Sequence, residues 1–293
     1  MILRHKEKII EKLLMLSGLL TIFTTAGILI ILVYESVRFF GEVSVWKFLT
    51  GTEWTPLFSK KEFGILPLLT ATFMTSLIAL LVALPIGLSI AIYLNEYANK
   101  SFRRTVKPLL EVLASVPTVV YGFFALTIIT PFLQQFIPGL AGFNSLSPGI
   151  VMGIMIIPMI SSLSEDALFA VPKSLRDASY GMGATRFQTV FRVLIPSASS
   201  GIIVSIIVAI SRAIGETMIV AIAAGQQPNF TMNPLVPVET ITTYIVQVSL
   251  GDVPRDSLEY RTIFAAGMVL FVMTFIMNNI SIWLKRKFHR QYE

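Results

Sequence analysis

Arg212 and Glu216 are the residues best placed to do chemistry in this chain, because they sit inside the apolar stretch 201–224. A charge at bilayer depth costs at least ~2.5 kcal/mol on insertion scales, so such residues mark transport pathways by default. Four positions apart on a helix, the two side chains share one face about a turn from each other. A planar guanidinium matches phosphate or another oxyanion with parallel N–H bonds. Ser211 and Thr217 beside the pair add candidate hydroxyl donors. The bland alternative is a salt bridge that only locks helix packing. An ionised Glu216 next to an anion is repulsive unless a proton is shared between them. An oxyanion that keeps a proton near neutral pH can supply it and a fully ionised one cannot, so the pair would favour the protonated kind.

Most other chemistry is excluded by what the 293 residues lack. There is no cysteine, and the two histidines, His5 and His289, stand in the terminal tails. Thiolate metal sites, disulfides, cysteine nucleophiles and an intramembrane histidine base are therefore absent. No G-x-x-x-x-G-K-[ST] stretch occurs, so the chain has no P-loop for ATP. An intramembrane hydrolase would need a nucleophile with an activating base, and neither is offered.

The elements that must position Arg212 and Glu216 follow from hydrophobicity. Apolar residues make up 54% and charged residues 14% of the chain, with a mean hydropathy of +0.75. Soluble domains carry about a quarter charged residues. Helices of roughly 20 apolar residues cross a bilayer, and six stretches qualify: 13–33, 65–94, 108–133, 146–163, 201–224 and 263–284. Pro85 is expected to kink or divide the second, and the third holds Pro117, with Glu111 near its start. Residues 13–284 thus form one all-α membrane domain, flanked by tails 1–12 and 285–293. The run after Arg4, Lys6, Lys8 and Lys12 is too long for a signal peptide and lacks an A-x-A site, so it is expected to be retained. Sixteen of the 23 lysines and arginines fall in the two tails and the 95–107 and 164–200 loops, and six fall on the opposite side. The positive-inside rule then puts both termini in the cytoplasm. The net charge of +6 is a topology signal, and no nucleic-acid partner is expected.

The cytoplasmic loop 164–200 carries a second pattern. Its 175–196 portion reads as a helix, a glycine turn and a second helix stopped by Pro196. Ala178, Met182, Phe187, Val190, Phe191 and Leu194 alternate with Arg176, Asp177, Arg186 and Arg192. Such a pair lies on a lipid surface or docks into a partner's groove. Asp177-Ala178-Ser179, then Gly183, Val193 and Ile195-Pro196 resemble the EAA loop of ABC-importer permeases, E-A-A-x3-G-x9-I-x-L-P, with four mild replacements. The resemblance implies a coupling helix, with Asp177, Ala178, Ser179, Gly183 and Pro196 facing an ATPase subunit. Gly183 is expected to permit a turn that a side chain would obstruct.

The segment 212–221, Arg-Ala-Ile-Gly-Glu-Thr-Met-Ile-Val-Ala, is similar to the fifth-helix signature of the phosphate-specific permease family of PstC type. Phe48 to Pro56, Gly64 to Pro67 and Ser115 to Gly122 agree with the same family, so the resemblance covers most of 45–285. It implies a type I ABC importer permease (MetI-like) fold of six transmembrane helices in a prokaryotic inner or plasma membrane. It also implies phosphate translocation past Arg212 and Glu216. The implied partners are a homologous PstA-type permease, an ABC ATPase dimer holding ATP and Mg, and an extracytoplasmic phosphate-binding protein. No cofactor is expected on this chain. The 225–262 outer loop, with an apolar stretch from Thr240 to Leu250, is long for a connector, and the resemblance implies that such loops meet the binding protein. Thr70, Thr72, Thr75, Ser76, Thr118 and Tyr121 are expected to serve helix packing. Two rivals stand beside this reading: a permease for molybdate or sulfate, and an ion-coupled carrier. The halves show no self-similarity of the kind carriers often have.

Overall fold

The structure, a computed structural model, describes residues 2–289, with side chains for residues 10–284. Arg4, Lys6, Lys8 and both histidines, named above, and the C-tail cations Lys285, Arg286, Lys287 and Arg290 counted with them lie outside the described side chains. Helices dominate: α1 (Ile2–Glu42), α2 (Val45–Thr50), α3 (Leu66–Ile92), α4 (Lys100–Ser115), α5 (Thr118–Phe124), α6 (Thr130–Gln134) and α7 (Leu146–Phe169). The chain continues through α8 (Lys173–Gly181), α9 (Arg186–Thr189), α10 (Ile195–Ser197), α11 (Ser199–Ile214), α12 (Met218–Ala223), α13 (Ile241–Leu250) and α14 (Leu258–His289). Short π-helical turns extend α3 and join α5 to α6 and α9 to α10. No strand is formed among the described residues; two isolated bridges, Trp54 with Phe63 and Gly225 with Val238, pin the loops.

Among the described residues, four helices are long and apolar enough to cross a membrane alone, and two bent pairs bring the crossings to as many as six. The bends are where the structure departs from uninterrupted spans. The stretch 108–133 breaks at Val116 and Pro117, whose ψ values are 130° and 134°, and its two arms meet at 85°. Proline disfavours helical geometry in the residue before it, which ends α4 at Ser115. Residues 108–115 therefore belong to α4, a helix with no buried residue, on which Glu111 is exposed. Pro85, by contrast, does not divide its helix, for α3 runs unbroken past it. The stretch 201–224 is also not one helix: α11 ends at Ile214, residues 215–217 are irregular, and α12 begins at Met218.

The core is the packing of α3 on α7, joined by α5, α11 and α12. Buried Ala79, Ala83, Met152, Ile156, Ile160 and Ala209 meet there. Two glycines of α7 set the closeness. A Cβ on Gly153 would lie 2.8 Å from the Ala79 carbonyl oxygen, and one on Gly149 would lie 2.8 Å from Ile78. Membrane helices gain little hydrophobic drive toward each other, so close backbone approach through small residues does the holding. Thr72 and Thr75 bond to carbonyls one turn earlier in α3, Thr70 does the same, and Tyr121 donates to the Leu113 carbonyl. A second cluster at the opposite end of the bundle from α8 packs Phe39, Phe48, Trp54, Ile65 and Tyr244 between α1, α2, α13 and α14, largely through edge-on aromatic pairs.

Candidate functional site

The break after α11 positions the charged pair. Arg212 lies in the last turn of α11, and Glu216 follows in the irregular segment, so one stretch of backbone presents both. Arg212 Nη1 donates to Glu216 Oε2 at 2.7 Å. The other carboxylate oxygen, Oε1, accepts the Met218 N–H at 3.2 Å and the Ile219 N–H at 3.5 Å. Glu216 thus satisfies backbone donors that the broken helix exposes, as a helix start requires. The Glu216 carbonyl in turn accepts from Thr242 Oγ1 at 2.8 Å, tying the break to α13.

Exposure separates the two roles. The Glu216 side chain is 3% exposed, while that of Arg212 is 39% exposed. Arg212 Nη2 makes one further contact, a long one of 3.9 Å to the Met155 sulfur on α7. A guanidinium has five N–H donors, and one strong bond leaves most of this one available. The arrangement is a buried carboxylate aiming an accessible guanidinium. Ser211 Oγ is buried without a hydrogen-bond partner, and Thr217 Oγ1 donates weakly to the Gly215 carbonyl at 3.4 Å. Met155 and Thr242 escaped the sequence reading; no spacing rule links them to Arg212 and Glu216, although the Thr240–Thr243 run does stand out as polar within an apolar stretch.

The 164–200 loop forms an exposed hairpin. Helix α8 carries Asp177, Ala178 and Ser179; Gly183 makes the turn with φ of +81°; and α9 starts at a Thr185 capping box with Gln188. Nothing lies within 4 Å of a Cβ built on Gly183, so the glycine is required by its left-handed backbone and not by crowding, which corrects the expected obstruction. Ser179 Oγ and Thr189 Oγ1, 2.9 Å apart, staple the arms. Val190 and Leu194 turn inward to a buried cluster with Leu168 and Ile202. Ala178, Phe187, Phe191 and Met182, the last 88% exposed, face out. Arg176 binds Glu96 at the end of α3 at 2.8 Å, and Arg103 and Lys107 of α4 pair with the buried Glu165 near the end of α7. Pro196 does not stop the helix as expected, because it stands in the first turn of α10, where its missing N–H costs nothing. The chain bends by 71° only after Ser197, so the hairpin continues directly into α11, whose last turn carries Arg212.

A model of the family described as the binding-protein-dependent transport system inner membrane component matches residues 83–290. The chain belongs to that family. It is 35% identical over 261 residues to the probable ABC transporter permease protein YqgH of Bacillus subtilis, covering 88% of this chain and 84% of the relative. It is 31% identical to the phosphate transport system permease protein PstC of Haemophilus influenzae, covering 92% and 89%. The PstC of Mesorhizobium japonicum is also 31% identical, with 86% and 80% covered. Among solved structures, the MetNI methionine ABC transporter in an inward-facing conformation superposes with a TM-score of 0.55 at 20% identity, over 77% of this chain and 94% of that one. A bacterial ABC transporter that imports alginate gives a TM-score of 0.56 at 16% identity, over 90% and 96%. The fold is that of ABC importer permeases.

Proposed function

We propose that this chain is one permease half of an ATP-driven phosphate importer, with Arg212 as the group that meets the anion. The single observation that carries the site assignment is a guanidinium left accessible while a buried carboxylate fixes one of its nitrogens. The relatives named as phosphate transport permeases support phosphate as the cargo. In this reading both termini are cytoplasmic. A homologous PstA-type permease completes the pathway, an ABC ATPase dimer holds ATP and Mg, and an extracytoplasmic binding protein delivers phosphate.

The mechanism uses the parts in sequence. The Arg212–Glu216 pair lowers the cost of either charge in the apolar interior. When the pathway opens outward, the spare N–H groups of Arg212 bind phosphate oxygens. Glu216 keeps the guanidinium oriented and repels an anion that has no proton to share. ATPase closure pushes on the apolar outer face of the hairpin formed by α8 and α9. The Arg176–Glu96 ion pair carries that motion to α3, and the chain through Pro196 carries it to α11.

Uptake of labelled phosphate in proteoliposomes containing all subunits tests this. Arg212→Ala removes charge-assisted bonds worth about 1.5–3 kcal/mol each, and losing one lowers uptake roughly 10- to 150-fold at 1.36 kcal/mol per decade. Full uptake by the variant returns Arg212 to a packing role, and preferential uptake of sulfate or molybdate changes the cargo.

A further inference from the structure

Glu239 has no place in the mechanism above, yet it is buried, with 2% of its surface exposed and Oε1 lacking a hydrogen-bond partner. It precedes the Thr240 cap of α13 and lines a cavity of about 130 Å³. Trp54, Phe58 and Tyr244 give that cavity aromatic walls, and Gln226, Gln227 and Gln247 give it amides. A backbone strained at Gln226, with φ of +49°, beside Gly225 at +96°, holds the rim. An uncompensated carboxylate in such a place is costly, and burial pushes Glu239 up to about 8. Local cations do not relieve it. Lys47 pairs with Glu62, Lys60 with Glu53 and Glu62, Lys61 with Glu259, and Arg261 with Glu35 and Glu42.

We propose that this cavity is a socket for one lysine or arginine side chain of the extracytoplasmic binding protein. The inference rests on the functional reading above and names the chemistry of that partner's contact. A buried carboxylate supplies a charge-assisted bond to an ammonium or guanidinium, and aromatic faces attract the same cation. A metal ion would want a cage of oxygens, whereas three aromatic rings around one carboxylate suit an organic cation. The indole N–H of Trp54 is likewise buried without a hydrogen-bond partner. The rim consists of the connecting segments 56–58 and 226–228, which lie on the outer side of the spans if both termini are cytoplasmic, as in the functional reading above. A cation reaching it therefore comes from water and not from a neighbouring helix in lipid, where carrying the charge is costly.

The test measures binding of phosphate-loaded binding protein to the complete transporter in nanodiscs at low salt. Glu239→Gln keeps the shape of the side chain, and Gln247→Lys supplies an ammonium at the exposed rim in place of the partner's. Each is expected to weaken binding tenfold or more. Substituting the binding protein's surface lysines and arginines one at a time by alanine identifies the plug. One such variant loses the same factor on the wild-type transporter and nothing further on Glu239→Gln. Co-purification with the other subunits checks assembly, and Gln247→Lys carries the test if Glu239→Gln does not assemble. Wild-type affinity in the assembled variants, or equal losses for every partner variant with no coupling to Glu239, overturns the socket while leaving the importer intact. Failure of the wild-type transporter to bind the loaded protein or take up phosphate overturns the functional reading, and the socket with it.

Discussion

Gly183 separates a conformational role from a steric one. Its φ is +81°, its N–H donates to the Tyr180 carbonyl at 2.9 Å, and the next N–H, of Ala184, reaches Ser179 at 3.1 Å. An added Cβ meets open space, so the cost of Gly183→Ala is that of a left-handed L-residue, ~1–2 kcal/mol. That disfavours the closed turn by roughly 5- to 30-fold unless the hairpin distorts to relieve it. Asparagine tolerates this conformation and valine does not. The expected order of coupling, measured as phosphate moved per ATP hydrolysed in proteoliposomes, is wild type, Gly183→Asn, Gly183→Ala and Gly183→Val. The first two should be close and the last should be several-fold uncoupled, with all four inserted and assembled. If asparagine uncouples as fully as valine, a partner surface fills the space and the backbone argument fails. If valine couples normally, Gly183 has no part in transmission.

Glu216→Gln keeps the cap on Met218 and Ile219 but places an amide where Arg212 now finds a carboxylate; sulfate should begin to compete for uptake, and unchanged phosphate transport with unchanged sulfate exclusion would discard the selectivity role. Gly153→Val drives a branched side chain into the Ala79 carbonyl and Val82 across the α3–α7 contact; overpacking costs about 1–3 kcal/mol, visible as a lower thermal midpoint in detergent, and a midpoint at the wild-type value contradicts the packing account. Outside the spans, the Lys47 ammonium holds the Glu62 carboxyl below its ordinary value of 4.5. A lowered folded pKa stabilises above the unfolded value and is lost as pH falls through the folded one. Any advantage of wild type over Glu62→Gln in thermal unfolding should therefore be complete above pH 4.5 and fade below it; an advantage that grows on acidification would reverse the sign.

The legibility of the chain followed the range of the forces involved. Hydrophobic runs near 20 residues reveal spans because the bilayer imposes its thickness on each separately; α1, α7 and α14 contain the stretches 13–33, 146–163 and 263–284, and 65–94 overruns α3 into the π-helical turn after it. The hairpin turn was readable because a glycine acts on its own backbone and its nearest neighbours, whereas the Thr185 cap went unread and Pro196 stops no helix. The breaks were less so. Pro85 and Pro117 look alike in a sequence, yet one sits inside α3 and the other ends a helix at an 85° bend. Surrounding helices decide whether a freed backbone group is satisfied in place.

The sequence by itself determined that this is a multi-pass membrane chain and that Gly183 marks a turn. Each rests on composition or on partners within a few residues. The helical face expected to carry both Arg212 and Glu216 ends at Ile214, before Glu216. Only the tertiary structure decided that Glu216 is buried while Arg212 stays accessible, that Glu96 anchors Arg176, and that Glu239 lies unpaired in an aromatic cavity. Burial and pairing at those positions are set by α7, α3 and the 54–58 segment, which are distant in the chain, and no local pattern records which distant surfaces will meet.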